Sequence, residues 1–288
     1  MKTAVRFLSI LMFGAILICQ GCDSESVTMA TSPDGVEIHF SNQGDGEPAI
    51  VLVHGWTNNN TIWESTIPAL SEKYKVLGVD LAGHGQSGNN RETWTMEAFG
   101  KDIAAVVEAS KVKKVVLVGF SMGGSAILEA VKLMPDKVEG LILAEAIHNP
   151  EEKTPPQAME MIDSLFMDLI ENPTKEKLLQ FGFVVKDADA AMEKVMKMVD
   201  RDQTGWSEML RENMRWSNED CIAAMQTLEV PVVAINAEMR PTAVENFEKY
   251  LADFTNIAIP GSGHVLMWDN PEKFNAAMLE SIEGMLSE

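Results

Sequence analysis

The run Gly119-Phe120-Ser121-Met122-Gly123 sets a serine hydroxyl between two glycines, each two positions away. Ahead of it, Val115 to Val118 are apolar and mostly β-branched, which predicts a strand buried on both faces; behind it, Ala126 to Val131 predict a helix. A serine joining two such elements sits on a sharp turn, and the glycines remove the Cβ atoms that would clash as the backbone folds back. The turn lifts the hydroxyl clear of the sheet as a nucleophile. It also leaves the Met122 amide, at the first turn of a helix, where a developing oxyanion would sit. His54-Gly55-Trp56 lies at the carboxyl end of the strand predicted over Ala49 to Val53, and the Trp56 amide can be aimed at the same point. His54 itself reads as a hydrogen-bonded brace of that loop rather than a base.

A nucleophilic hydroxyl needs a base. Of the five histidines, only His264 follows the last predicted strand, Thr255 to Ile259, on the small loop Pro260-Gly261-Ser262-Gly263. From there it can reach back to Ser121, take its proton and return it to a leaving group. His39 and His148 read as surface or packing residues. No HExxH, CxxC or Walker pattern occurs, so neither a metal nor a nucleotide cofactor is implied.

The elements that must position these groups follow from periodicity. Val36 to Phe40 alternates as a strand, Gly44-Asp45-Gly46 turns, Thr61 to Leu70 reads as a helix, and Val76 to Val79 is a strand entering Asp80-Leu81-Ala82-Gly83-His84-Gly85-Gln86-Ser87. Thr95 to Ser110 is helical, with Met96, Phe99, Ile103, Val106 and Val107 on one face to cover the sheet. Val138 to Ala144 and Pro231 to Asn236 are further strands. Between them, from Asn149 to about Glu229, Pro150, Pro155 and Pro156 open a segment with helical spacing, Met161, Leu165, Leu169 and then Ala188, Met192, Val195, Met196, Val199. Nine of the chain's 19 methionines fall there, with Trp206 and Trp216. Most of these should be packing, with some methionines facing a cleft as a polarizable lining. Asn270 is placed to cap a last helix that starts at Pro271.

HGW at 54–56, DLAGHGQS at 80–87 and GFSMGG at 119–124, in this order and at these spacings, resemble the α/β-hydrolase superfamily, in its branch of capped esterases, dehalogenases and C–C hydrolases. The resemblance covers nearly all of the chain beyond its N-terminal segment. It implies an α/β fold: a mostly parallel, eight-stranded-type sheet flanked by helices, with core at 22–148 and 230–288 and an inserted helical cap at 149–229. In that family the DxxGxGxS loop is structural, so Asp80 and His84 are assigned to holding it. The triad acid of many members stands where this chain has Arg240, and an arginine cannot accept the imidazole N–H. Two carboxylates keep the order serine, acid, histidine. Glu145 follows the strand Val138 to Ala144, about 4.8 Å from the elbow strand, and resembles the arrangement of one subgroup of haloalkane dehalogenases; Glu238 is the alternative. The expected catalytic set is Ser121, Glu145 and His264, with Trp56 and Met122 at the oxyanion. It implies a serine hydrolase that cleaves carboxylic esters of small, largely apolar substrates through an acyl-enzyme. Amide, lactone or C–C bonds on the same machinery, or a ligand-binding sensor with little turnover, are the alternatives. A serine at the elbow argues against haloalkane dehalogenation.

At the N-terminus, Lys2 and Arg6 precede the apolar run Phe7 to Ile18, which is shorter than the roughly 20 residues of a spanning helix and suits a secretory signal. Cys19-Gln20-Gly21-Cys22 resembles a bacterial lipoprotein signal, with Cys19 standing where a leucine is common. Residues 1–21 are then expected to be removed, Cys22 lipidated, Asp23 to Ser26 left as a tether, and the protein exported and anchored facing the periplasm or the exterior. Cys221 is left without a disulfide partner. The formal charge is −20, and −22 once Lys2 and Arg6 are lost. So acidic a surface argues against nucleic acid or an anionic membrane face as a direct partner. The partner expected is a small-molecule ester, with membrane contact only through the N-terminal lipid.

Overall fold

The structure, a computed structural model, describes residues 28–287; the expected signal segment, Cys22 and the tether lie outside the described residues. Apolar runs form eight strands: β1 (Thr28–Thr31), β2 (Glu37–Gln43), β3 (Ala49–Val53), β4 (Lys75–Val79), β5 (Val115–Phe120), β6 (Val138–Ala144), β7 (Val232–Ala237) and β8 (Phe254–Ile259). They make one sheet in the order β1-β2-β4-β3-β5-β6-β7-β8. β1 and β2 run antiparallel at one edge, and every pairing from β4 to β8 is parallel. Every residue of β3, β5 and β7 is buried, because helices cover both faces, as parallel sheets require.

Among the described residues the eleven α-helices are α1 (Thr66–Ser71), α2 (Met96–Ala109), α3 (Met122–Leu133), α4 (Pro156–Glu171), α5 (Lys175–Gln180), α6 (Ala188–Val199), α7 (Trp206–Glu219), α8 (Cys221–Met225), α9 (Val244–Phe247), α10 (Leu266–Asp269) and α11 (Pro271–Ser287). Alternation along the strands divides the core. Val51, Val53 and Leu117 pack with Phe99, Ile103 and Val106 of α2 and Ile127 of α3 on one face. Ile50, Leu52, Val116 and Val118 pack with Ile67 and Leu70 of α1 and Phe274, Met278 and Ile282 of α11 on the other. The five residues expected on the buried face of α2 are all buried, and Thr95 caps the helix by accepting the Ala98 N–H.

Two local expectations are corrected. The single helix over Thr61 to Leu70 is instead a short 3₁₀ turn, Asn60–Trp63, followed by α1. Pro68 accounts for the break: its ring and missing N–H are tolerated only in a helix's first turn, so the helix restarts at Thr66. Asn270 does precede α11, but its side chain does not cap it; Nδ2 donates to the carbonyls of Pro260 and Gly261 and to Ser262 Oγ, at 3.2, 3.0 and 2.6 Å.

Helices α4 to α8 form an insertion between β6 and β7. Amphipathic helices alone would fix its apolar face but not its seat, and polar contacts made by tryptophans supply the register. Trp216 Nε1 donates to Glu129 Oε1 of α3 at 2.6 Å, Trp206 Nε1 donates to the Gly83 carbonyl at 3.2 Å, and Trp56 Nε1 donates to the Trp206 carbonyl at 2.7 Å. Ser125 of α3 and Asn213 of α7 add a bond of 2.7 Å. The Glu129 carboxylate is 5% exposed and shares the same oxygen with Lys132 at 2.6 Å, so the indole N–H solvates a buried charge. Trp216→Phe is expected to lower stability by about 2 to 4 kcal/mol through the lost charge-assisted bond and the smaller ring. Urea unfolding measures it; a loss near zero would mean that the insertion is seated without this contact.

Candidate active site

Ser121 has φ +51° and ψ −121°, a conformation outside the regions open to ordinary L-residues. It persists because the surroundings leave no room for another path. A Cβ on Gly119 would lie 2.4 Å from the Gly123 carbonyl oxygen, and one on Gly123 would lie 2.5 Å from the Val53 carbonyl oxygen. The turn is pinned from both sides: Ser121 N–H donates to the Ala144 carbonyl at 3.0 Å, and the Ser121 carbonyl accepts from Gly124 N–H at 2.9 Å. Among the described residues four non-glycine residues have positive φ, and three of them, Thr57, Ser121 and Glu145, lie at this end of the sheet. Such strain, on the order of 1–3 kcal/mol per residue, gathers where chemistry requires a fixed geometry.

Glu145 leaves β6 immediately beyond Ala144, with φ +46°. The turn aims its carboxylate across the ends of β7 and β8 rather than into solvent. Oε1 accepts the Ala237 N–H at 2.5 Å, and Oε2 lies 3.0 Å from His264 Nδ1. Burial alone would raise this carboxyl, but the His148 and His264 imidazoles that face it outweigh burial and hold it down at about 2. It is therefore ionised at any pH at which the histidine titrates. For His264 burial is the larger influence and depresses its pKa below the ordinary value, against the upward pull of Glu145. The ring is thus neutral near pH 7, with Nδ1–H directed to Glu145 and Nε2 free to accept a proton.

The histidine loop is positioned by the insertion. His264 N–H donates to the Gly182 carbonyl at 2.7 Å and Val265 N–H to the Phe183 carbonyl at 2.8 Å. A Cβ on Gly263 would meet the Gly182 carbonyl at 2.6 Å, so the close approach needs glycine. Asp269 ties both segments together by accepting the N–H groups of Gly263 and Val185, at 2.7 and 3.1 Å. The ring itself packs against Phe120 and Phe183, at centroid separations of 4.9 and 5.8 Å.

Ser121 and His264 line one cavity of about 100 Å³, together with Trp56, Met122, Phe166, Phe183 and aliphatic residues of the insertion. No Ser121–His264 hydrogen bond forms among the described residues, and in free enzymes this contact commonly tightens only as substrate binds. The Trp56 and Met122 amides have no protein acceptor among the described residues. The loop that carries Trp56 is held from behind by histidines. His54 accepts the Leu81 N–H at Nε2 (3.0 Å) and faces the Gly55 carbonyl with Nδ1 (2.7 Å), so both nitrogens are engaged in bracing. His84 Nε2 accepts the Thr57 N–H at 3.2 Å, and its ring stacks on Trp206. Burial lowers the pKa of both rings, that of His84 strongly. Asp80 holds its loop by accepting from Asn60 N–H and Gln86 N–H, at 2.6 and 2.9 Å.

The comparisons agree with this architecture. A family model described as the alpha/beta hydrolase fold matches residues 48–182. That match and the order of the sheet agree on the α/β-hydrolase fold. A bifunctional esterase/perhydrolase of Acinetobacter calcoaceticus is 27% identical over 273 residues, covering 88% of this chain and 98% of that protein. Uncharacterized proteins of Mycobacterium tuberculosis are 33% identical over 107 residues, 37% of this chain, which spans only 31% of their length. Among solved structures, an esterase from Exiguobacterium antarcticum superposes with a TM-score of 0.76 at 24% identity, covering 89% of this chain and 99% of that one; the likeness is one of fold.

Both histidines read as surface or packing residues lie beside buried carboxylates. His39 is buried and bonded to Asp80 at 2.7 Å. His148 is partly exposed, and its Nε2 lies 3.5 Å from Glu145 Oε2. Glu238 is exposed at the tip of the turn after β7, and Arg240 of that turn instead reaches Glu145 Oε2 at 3.6 Å. No methionine of the insertion lines the cavity, which is walled by Phe166, Leu169, Leu178, Phe183 and their neighbours. Helical spacing could show which positions share a face, not whether that face meets cavity, core or water. Cys221 is a buried free thiol, and burial pushes its pKa up to about 12.

Glu145→Gln removes the charge that pulls His264 upward, so the His264 ring is expected to titrate at still lower pH, while Glu238→Gln leaves it in place. NMR titration of the ring protons reads both. Equal shifts in the two variants would sink the assignment of Glu145 as the partner of His264.

Proposed function

We propose that this α/β-hydrolase cleaves carboxylic esters of small, largely apolar substrates through a serine acyl-enzyme. The observation that carries the reading is the contact between an ionised, buried Glu145 and Nδ1 of His264, whose ring shares a cavity with the strained Ser121. Ser121 Oγ attacks the ester carbonyl carbon while His264 Nε2 takes its proton, and Glu145 stabilises the imidazolium that forms. The negative charge gathers on the carbonyl oxygen, within reach of the Trp56 and Met122 amides. Collapse expels the alcohol, which receives the proton from His264. Water then repeats the sequence on the acyl-enzyme, with His264 again the base, and releases the acid.

The residues of the cavity support the substrate class. Its wall of Phe166, Leu169, Ile170, Leu178, Phe183 and Val195 is apolar, and its volume of about 100 Å³ suits an acyl group of a few carbons. The esterase named among the relatives and the esterase fold named among the structures are consistent with the reading.

The test is turnover of a chain-length series of aryl esters by wild type, Ser121→Ala and Glu145→Gln, with intact mass after fluorophosphonate treatment. Wild type should be labelled once, prefer acetyl to butyryl over octanoyl esters, and lose about 10³-fold or more in kcat with either substitution. Because His264 must be unprotonated to act, kcat/KM should rise with pH through an inflection below about 6.5 and stay flat near neutrality. A wild type that neither turns over nor labels would move the reading to a ligand-binding protein on a hydrolase scaffold.

A further inference from the structure

The Glu145 carboxylate is faced by more basic side chains than a triad needs. On Oε2 converge His264 Nδ1 at 3.0 Å, His148 Nε2 at 3.5 Å and Arg240 Nη1 at 3.6 Å, while Oε1 is occupied by the Ala237 N–H. The Glu145 side chain is fully buried, and a buried carboxylate without a counter-charge is costly. His264 is neutral in the resting site and cannot serve. Arg240, which is always protonated, is the permanent cation within reach.

Arg240 is also held there by the protein. His148 Nδ1 faces the Arg240 carbonyl at 3.0 Å, and Ala243 N–H donates back to the His148 carbonyl at 2.8 Å. One residue on, Asn149 Oδ1 accepts from Asn246 Nδ2 at 2.9 Å. The segment after β6 and the turn after β7 are thereby laced together, with His148 as the clasp. His148 Nε2 is buried and lacks a hydrogen-bond partner of good geometry among the described residues, which fits a ring placed for its contact with Glu145 and not for packing alone.

We propose that Arg240 and His148 are positioning residues that hold the Glu145 carboxylate ionised and aimed at His264, and that the Arg240 charge extends the active range of the His264 base toward lower pH. The inference rests on the ester-hydrolase reading for its kinetic readout. The physical argument is competition for one oxygen. A fixed positive charge beside Oε2 weakens the pull of Glu145 on an imidazolium at His264, so the ring releases its proton more readily. The effect of Arg240 and of His148 on His264 is in this direction. The other groups around the pair do not supply it: the elbow and the α5–α6 segment present the Phe120 and Phe183 rings, and Asp269 is taken up by the amides of Gly263, Val185 and Lys186. Arg240 is 53% exposed, so its charge is partly screened and the shift is moderate.

The experiment compares wild type, Arg240→Gln, Arg240→Lys, His148→Gln and the Arg240→Gln/His148→Gln double variant, each at matched thermal stability. It reads the pH profile of kcat/KM on an aryl acetate and, separately, the NMR titration of the His264 ring. Arg240→Gln should move the acid limb and the ring titration upward by about half a pH unit, roughly threefold in the ionisation constant, with KM unchanged. Arg240→Lys should restore most of the wild-type position. His148→Gln should shift the limb in the same direction and lower kcat severalfold, and the double variant should shift furthest. High salt should carry wild type toward Arg240→Gln. Titration and limb unchanged in the double variant would overturn the proposal, as would a downward shift. If wild type hydrolyses no ester, the ring titration still decides it, so the failure of the ester-hydrolase reading and the failure of this one are told apart.

Discussion

The close approach of the β5–α3 turn to the end of β3 is the constraint on which the rest of this site depends. Gly119 and Gly123 each lie so near to backbone carbonyls that a methyl group would penetrate them. The chain between them can pass only by forcing Ser121 into a positive φ. That one contortion sets the serine at the rim of the sheet, opens α3 with its amide end toward the cavity, and leaves the next strand, β6, to end beside it. The strain is sustained because the turn is bonded to β6 through the Ala144 carbonyl and closed on itself through Gly124. Thr57 and Glu145 carry the same unusual backbone on either side, so three elements are bent toward one point.

The second constraint is electrostatic. A carboxylate buried at the end of β6 must be compensated, and the Ala237 amide, His264, His148 and Arg240 share that task. Their convergence makes the acid a node between three chain segments rather than an appendage of the histidine. Burial also acts on the histidine in the opposite sense, favouring the neutral ring. The two titrating groups are thus driven apart: Glu145 stays charged and the His264 ring stays neutral.

The helical insertion does more than roof the cavity. Its Gly182 and Phe183 carbonyls hold the backbone of the histidine loop, and its Phe183 ring packs on the imidazole. Tryptophan N–H bonds to Glu129 and Gly83 fasten it to the sheet side of the molecule. Motion of the insertion would therefore alter both the cavity wall and the position of His264.

Much of this was legible in the residues. The buried strands β3, β5 and β7 announce themselves as continuous apolar runs, and the glycines two before and two after Ser121 declare the turn, because strand burial and steric exclusion act over a few neighbouring residues. The serine, the late histidine and two candidate acids in the right chain order follow from the same short-range information. What the sequence could not decide was the choice between Glu145 and Glu238, since both lie just beyond adjacent strands and the outcome turns on side-chain direction and burial. In the tertiary structure Glu145 turns inward at φ +46° to face His264, and Glu238 stays in solvent. Arg240 and His148 beside that carboxylate, Gly182 beneath His264 and a phenylalanine-lined cavity in place of a methionine-lined one were likewise invisible, because each joins segments far apart in the chain. Periodicity specifies which residues share a face; only the packed fold specifies what that face meets.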